Sequence, residues 1–396
     1  MISNKFKEML SQKSVIREIS VYANARGAEI GYDNVYDFSL GNPSVAVPEK
    51  FNDIVKQLLD TRDPLALHGY SPSHGLPEVR TKVAQSLANK YNLPYKMEHI
   101  FMTSGAASSV AHAVRSVVTP GEEVIAFAPF FPEYRPYVTE TGAKLTIVPA
   151  DLESFQINFE EFEKVISKNT AAILLNTPNN PSGVVYSTET IQHLASILKK
   201  KSEEFGQDIY IISDEPYREI VFEGVDAPIV SKFYENTIIC YSFSKSLSLP
   251  GERIGYVAVN PLCKDATLIV DMCTQISRGI GHNCPSSLIQ LAVSMLLEET
   301  ADLKVYEKNS TILYNELTKL GFSCVKPGGT FYIFPKAPIE DAKEFCQKAL
   351  EYDLAIVPGD SFGAPGYFRM AYCVPTQKVE NSLEAIRKLA AYYGME

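Results

Sequence analysis

The chain has 396 residues, 45% of them hydrophobic and 21% charged, which is enough for a large domain with a smaller one beside it. A formal net charge of -10, with no basic run beyond "LKKK" at 198–201, argues against a nucleic-acid or membrane-surface partner. Seven widely spaced cysteines without a CxxC point away from a disulfide framework or a zinc site and toward a reducing, cytoplasmic compartment.

The opening stretch, "MISNKFKEMLSQKSVIREIS", is charged throughout, so no signal peptide is expected, and nowhere does the chain approach a transmembrane span. Helical spacing is weak up to about Leu40, and "NPSVAVP" at 42–48 reads as an extended link. Apolar helical faces then fall near 49–60, 76–90 and 107–118. Short apolar runs bounded by turn residues follow at 123–129, 144–150, 171–178, 208–216, 237–244 and 254–260, with helical patterns at 158–167 and 189–205. Near-continuous apolar strands alternating with helices predict an α/β domain with a mainly parallel sheet covered by helices.

Past about residue 300 the pattern changes. A long charged helix at 301–320 leads to "GTFYIFP", a helix at 340–351, "LAIVPG", "YFRMAY" and a last helix from about 377. This predicts a smaller α+β domain. The expected division is a large domain over 46–290 and a small domain built from both termini, 1–45 and 291–396.

Ligands of open α/β sheets sit at the carboxyl ends of the strands. Three polar features end successive apolar runs here: "NNPSG" at 179–183, Asp214 and Lys245. Each alone is ordinary, since Asn-Pro marks a turn and a buried aspartate is usually a hydrogen-bond partner. A lysine at the end of a buried strand is costly unless its amine is used. The small residues of "TSGAASS" at 103–109 open a helix and leave amides for an anion, although a capped helix start looks the same. Neither GxGxxG nor GxxxxGK[ST] is present there. An anion cup, a deep lysine and a buried carboxylate together suit pyridoxal 5'-phosphate. Its aldehyde condenses with an amine, and its ring nitrogen needs an acid partner.

Six motifs in order carry a resemblance across nearly the whole chain: "YSPSHGLPEVR" (70–80), "SGAAS" (104–108), "APFFPEY" (128–134), "NTPNNPSG" (176–183), "SDEPY" (213–217) and "SFSKSLSLPGERIGY" (242–256). The sequence resembles the class I/II aminotransferases of the pyridoxal-phosphate fold type I superfamily. The resemblance implies Lys245 as the Schiff-base lysine and proton shuttle, and Asp214 as the partner of the pyridinium nitrogen. It implies Asn180 and Tyr217 at the ring's phenolic oxygen and Phe131 stacked on its face. There is no tryptophan, so that stacking falls to Phe131 or a neighbour such as Phe130. The phosphate cup would be the backbone of Gly105, Ala106 and Ala107 with the side chains of Ser242 and Arg253.

By the same resemblance, Tyr70 reaches the phosphate of a neighbouring subunit, so a homodimer with shared sites is expected. Arg369, with the backbone at Gly41, would hold the substrate's α-carboxylate. Arg278, four residues before His282 in a loosely matching loop, is the candidate for a side-chain carboxylate. The implied activity is ping-pong transfer of an amino group from an L-amino acid, with aspartate a candidate, to a 2-oxo acid such as 2-oxoglutarate. A carbon–sulfur β-lyase on the same fold uses the same lysine and aspartate and is the alternative. No metal is expected.

Overall fold

A computed structural model describes Ile2, Lys7 and residues 14–395. Its centre is a seven-stranded sheet made of β2 (Ile100–Thr103), β3 (Glu123–Phe127), β4 (Lys144–Val148), β5 (Thr170–Asn176), β6 (Tyr210–Asp214), β7 (Thr237–Ser242) and β8 (Gly255–Val259). The order is β2-β8-β7-β6-β5-β3-β4. Strands β3 to β7 run parallel, while β8 lies antiparallel to both β7 and β2. The mainly parallel α/β sheet expected from the apolar runs is therefore present.

Side-chain alternation explains why those runs are continuous. Val124, Ala126, Leu174, Ile238 and Cys240 face one helical layer, which includes Ala106–Val117 and Ala266–Gly279. Their neighbours Ile125, Phe127, Ile173 and Leu175 face the other layer with Thr188–Phe205. With both faces covered, neither parity can be polar. Strand ends were read slightly too far: the expected 208–216 is a strand only over Tyr210–Asp214. Strand β2 and the helices Val15–Ile30 and Ala266–Gly279 were not anticipated.

The remaining strands are two to four residues long. β1 (Tyr36–Asp37) pairs in parallel with β10 (Leu354–Ala355), which ties the chain before the 42–48 link to its last third. β11 (Val357–Pro358), β12 (Phe368–Ala371) and β9 (Tyr332–Ile333) form an antiparallel sheet in the order β11-β12-β9. Phe322, Phe345, Phe368, Met370 and Leu389 lie in the core of this part, beneath Lys304–Lys319, Ala342–Leu350 and Thr376–Tyr392.

The chain passes from β3 outward to β4, returns to β5, and then steps the opposite way through β6 and β7. That reversal opens a crevice at the carboxyl ends of β3 and β5.

Candidate active site

A cleft of about 400 Å³ occupies this crevice. Residues following β3 (Phe131), β5 (Asn180), β6 (Tyr217) and β7 (Lys245) line it, together with Asp214, Ser242, Arg253, Ala106, Ala107, Gly41 and Arg369. Of the other expected residues, Gly105 packs beside Arg253. Two stand apart. Tyr70 is fully exposed, and Arg278 is exposed with Nη1 donating to Gln275 Oε1 at 3.2 Å; neither lines the cleft. His282 is exposed as well, in contact with Ser108 and stacked on His112 at 5.8 Å.

Lys245 lies in the short helix Phe243–Ser246, directly after β7. Its Nζ donates to Gly41 O at 2.6 Å and lies 5.3 Å from the Phe331 ring centre. Removal from water lowers its pKa to about 8; Cys373 opposes that fall, while Arg253 and Arg369 add to it. At pH 7 roughly a tenth of the amine is then neutral, far more than at the ordinary lysine value.

Asp214 ends β6. Its Oδ2 accepts from the Tyr134 hydroxyl at 2.6 Å, and its backbone oxygen accepts from Asn176 Nδ2 at 2.8 Å. Oδ1 is buried and has no partner among the described residues. Burial raises this carboxyl to about 7, against the pull of the Tyr134 hydrogen bond and with a push from Glu215. A buried acceptor left unpaired beside a cleft is a site for an N–H from a ligand.

On the opposite wall, the helix Ala106–Val117 begins without a side-chain cap, which leaves its first amides open. Gly105, at φ +88°, permits this approach: a Cβ there would lie 2.9 Å from Arg253 Nη2. Arg253 itself is left-handed, and its Nη1 donates to Pro250 O at 3.0 Å. Ser242 and Ser244 bring hydroxyls within 2.6 Å of each other nearby. Free amides, a guanidinium and hydroxyls together form an anion cradle.

Arg369, in β12, is only 2% exposed. Its Nη1 donates to Asn180 Oδ1 at 3.0 Å and its Nη2 donates to Ser39 O, while Nε has no partner among the described residues. The rings of Tyr332 and Phe362 lie 4.7 and 4.9 Å from the guanidinium. Tyr217 shares a hydrogen bond of 3.0 Å with Tyr332. Gly41 has no room for a side chain, since a Cβ there would overlap Tyr332. Phe131 lines the cleft while Phe130 is buried in the core, so the ring available for stacking is that of Phe131.

Sequence reasoning missed Tyr134, and it missed Tyr332 and Arg17, which both line the cleft. Tyr134 stands within "APFFPEY", but nothing in the spacing shows that it reaches β6, eighty residues on.

The profile of the class I and II aminotransferases matches residues 33–386. The chain belongs to that family. This aminotransferase is 27% identical over 394 residues to an aspartate aminotransferase of Thermotoga maritima, a match covering 98% of each chain. It is 28% identical to an aromatic-amino-acid aminotransferase of Thermococcus litoralis, over 91% of this chain and 92% of the other. An aminotransferase crystal structure from Eubacterium rectale is 43% identical, covers 99% of each chain and superposes with a TM-score of 0.96. The aminotransferase fold is that of fold type I enzymes, a family dependent on pyridoxal phosphate, and the unpaired Asp214 Oδ1 and uncapped helix start suit that cofactor.

No group of three or more His, Cys, Asp or Glu residues among those described forms a metal-holding cluster. No described helix is long and apolar enough to cross a membrane.

Proposed function

We propose that the protein transfers the amino group of an L-amino acid, with aspartate the first candidate, to a 2-oxo acid such as 2-oxoglutarate. When bound, pyridoxal 5'-phosphate supplies the aldehyde that takes up the amino group and the ring that withdraws electrons from the substrate. Lys245 would hold the aldehyde between turnovers and move the proton at the substrate's Cα. Asp214 Oδ1 would accept the ring N–H. Asn180 and Tyr217 would donate to the ring oxygen, and Phe131 would cover the ring face. The Gly105–Ala107 backbone, Ser242 and Arg253 hold the phosphate.

Arg369 binds the substrate's α-carboxylate with Nε and one terminal nitrogen, beside the backbone at Gly41. On this reading residues 46–290 carry the cofactor, and 1–45 with 291–396 bring in Arg369. The working unit is a homodimer in the cytoplasm, where the seven unpaired thiols stay reduced. In that dimer Tyr70 reaches the phosphate of the neighbouring copy, and Arg278 is the loop candidate for a substrate's side-chain carboxylate.

The observation that carries the proposal is the shared cleft of a lysine with a depressed pKa and an aspartate with one unpaired buried oxygen. The relatives named above are aminotransferases, which favours transamination over a carbon–sulfur lyase. The test is a half-reaction screen: each amino acid is mixed with the cofactor-loaded protein and the cofactor absorbance is followed. At least one amino acid should shift the spectrum and yield its 2-oxo acid, and Lys245→Ala should abolish turnover. Full activity in that variant would refute the assignment.

A further inference from the structure

Six charged side chains line the cleft: Arg17, Lys245, Arg253 and Arg369 against Glu133 and Asp214. The excess is positive although the whole chain carries -10, so the cleft is arranged for anions. The proposed function employs Lys245, Arg253, Arg369 and Asp214. Arg17 and Glu133 have no task in it.

Arg17 is the third residue of the helix Val15–Ile30, whose N-cap residue Ser14 makes no side-chain cap. A cation in the first turn meets the positive end of the helix dipole, so this placement costs free energy that some other interaction must offset. No hydrogen bond or ion pair joins the Arg17 side chain to any described residue, and it is exposed to the cleft. The same turn is anchored by apolar packing: Val15, Ile16 and Ile19 rest on the cluster that includes Phe334, Val357 and Phe362. The Phe362 ring is the one that lies 4.9 Å from the Arg369 guanidinium. The turn therefore stands over the Arg369 end of the cleft.

We infer that Arg17 binds the side-chain carboxylate of a dicarboxylic amino acid whose α-carboxylate is held by Arg369. This rests on the aminotransferase reading and names the substrate class of that site. Two guanidinium groups in one cleft would hold the two ends of aspartate or glutamate, while an apolar side chain would leave Arg17 unpaired. Arg278 does not line this cleft, and the Arg278 of a neighbouring copy is the rival reader of that carboxylate. A second anion, the cofactor phosphate, is the competing occupant of Arg17, because Tyr137 of the cleft wall is near both Arg17 and Arg253.

The test compares Arg17→Ala, Arg17→Lys and Arg278→Ala in the cofactor-loaded enzyme with aspartate, glutamate, alanine and phenylalanine. Arg17→Ala should lower kcat/KM for the two dicarboxylates by at least about tenfold relative to the other two. Arg17→Lys should recover part of the loss, and a loss of the ratio in Arg278→Ala but not in Arg17→Ala would assign the side-chain carboxylate to Arg278 and overturn the inference. Succinate binding, measured by calorimetry, should weaken by a similar factor in Arg17→Ala while propionate binding does not. An equal loss for all four amino acids overturns the inference, and a parallel loss of cofactor affinity would then assign Arg17 to the phosphate. A wild-type enzyme that turns over alanine or phenylalanine but neither dicarboxylate also overturns it, and leaves the transamination reading standing. Wild-type protein that reacts with no amino acid removes both.

Discussion

Burial raises the Asp214 carboxyl to about 7, and the Tyr134 hydroxyl, donating at 2.6 Å, works against that rise. The folded value lies above the ordinary 3.8, so the folded chain holds this proton more tightly than the unfolded chain does. The stability contributed by the group is complete below pH ~4 and is lost as pH rises through about 7. In cofactor-free protein, Asp214→Asn should flatten that decline, which urea midpoints between pH 4 and pH 8 would show as a smaller slope than wild type; an unchanged slope contradicts the assignment. On the proposed function, the same substitution in cofactor-loaded enzyme removes the acceptor for the ring N–H and should cut turnover by roughly 10²–10³.

At the scale of the element, the proposed phosphate cradle depends on how closely the start of Ala106–Val117 approaches the loop after β7. Gly105 combines a φ of +88° with Arg253 Nη2 at 2.9 Å from any added Cβ. Gly121, at φ +91°, has nothing within 4 Å of its own Cβ position. Gly105→Ala should therefore weaken pyridoxal-phosphate binding by about tenfold or more, beyond the ~1–3 kcal/mol of backbone strain common to both sites. Gly121→Ala should leave cofactor affinity unchanged. Cofactor titration of the two variants decides this, and equal losses would mean that the close approach is not what matters.

Elements were legible in the sequence to the degree that their burial is one-sided or complete. Strands β5, β6 and β7 were visible because helices cover both faces and every position must be apolar. Strand β2 was not, since four residues carry no period and only pairing with β8 makes them a strand. The helix Val15–Ile30 has weak amphipathic spacing and is held by its packing on the Phe362 cluster.

For the whole molecule, the exposure of Tyr70 and Leu65, at 102% and 86%, leaves a prominent tyrosine and a large aliphatic side chain without intrachain cover. In the proposed homodimer Tyr70 completes the neighbour's phosphate site. Tyr70→Ala should then lose most activity, and mixing it with the inactive Lys245→Ala under exchange conditions should restore some. The hybrid has one site with both an intact lysine and an intact tyrosine. Absence of any recovery, with subunit exchange verified by mass, would count against sharing.

The sequence by itself marked the candidate groups at the strand ends. Lys245 and Asn180 follow a buried strand within a few residues and Asp214 ends one, and local motifs are enough to mark them. Tertiary structure decided what meets across the cleft. Arg369 reaches Asn180 across 189 residues, because β12 pairs with β11 and β9 in one register and only that register aims its guanidinium at the crevice. Tyr134 likewise reaches Asp214 from another element, and the packing of Val15, Ile16 and Ile19 on the Phe362 cluster brings Arg17 to the cleft. A side chain's type is written in the sequence, but its distance to a group on another element is set by packing.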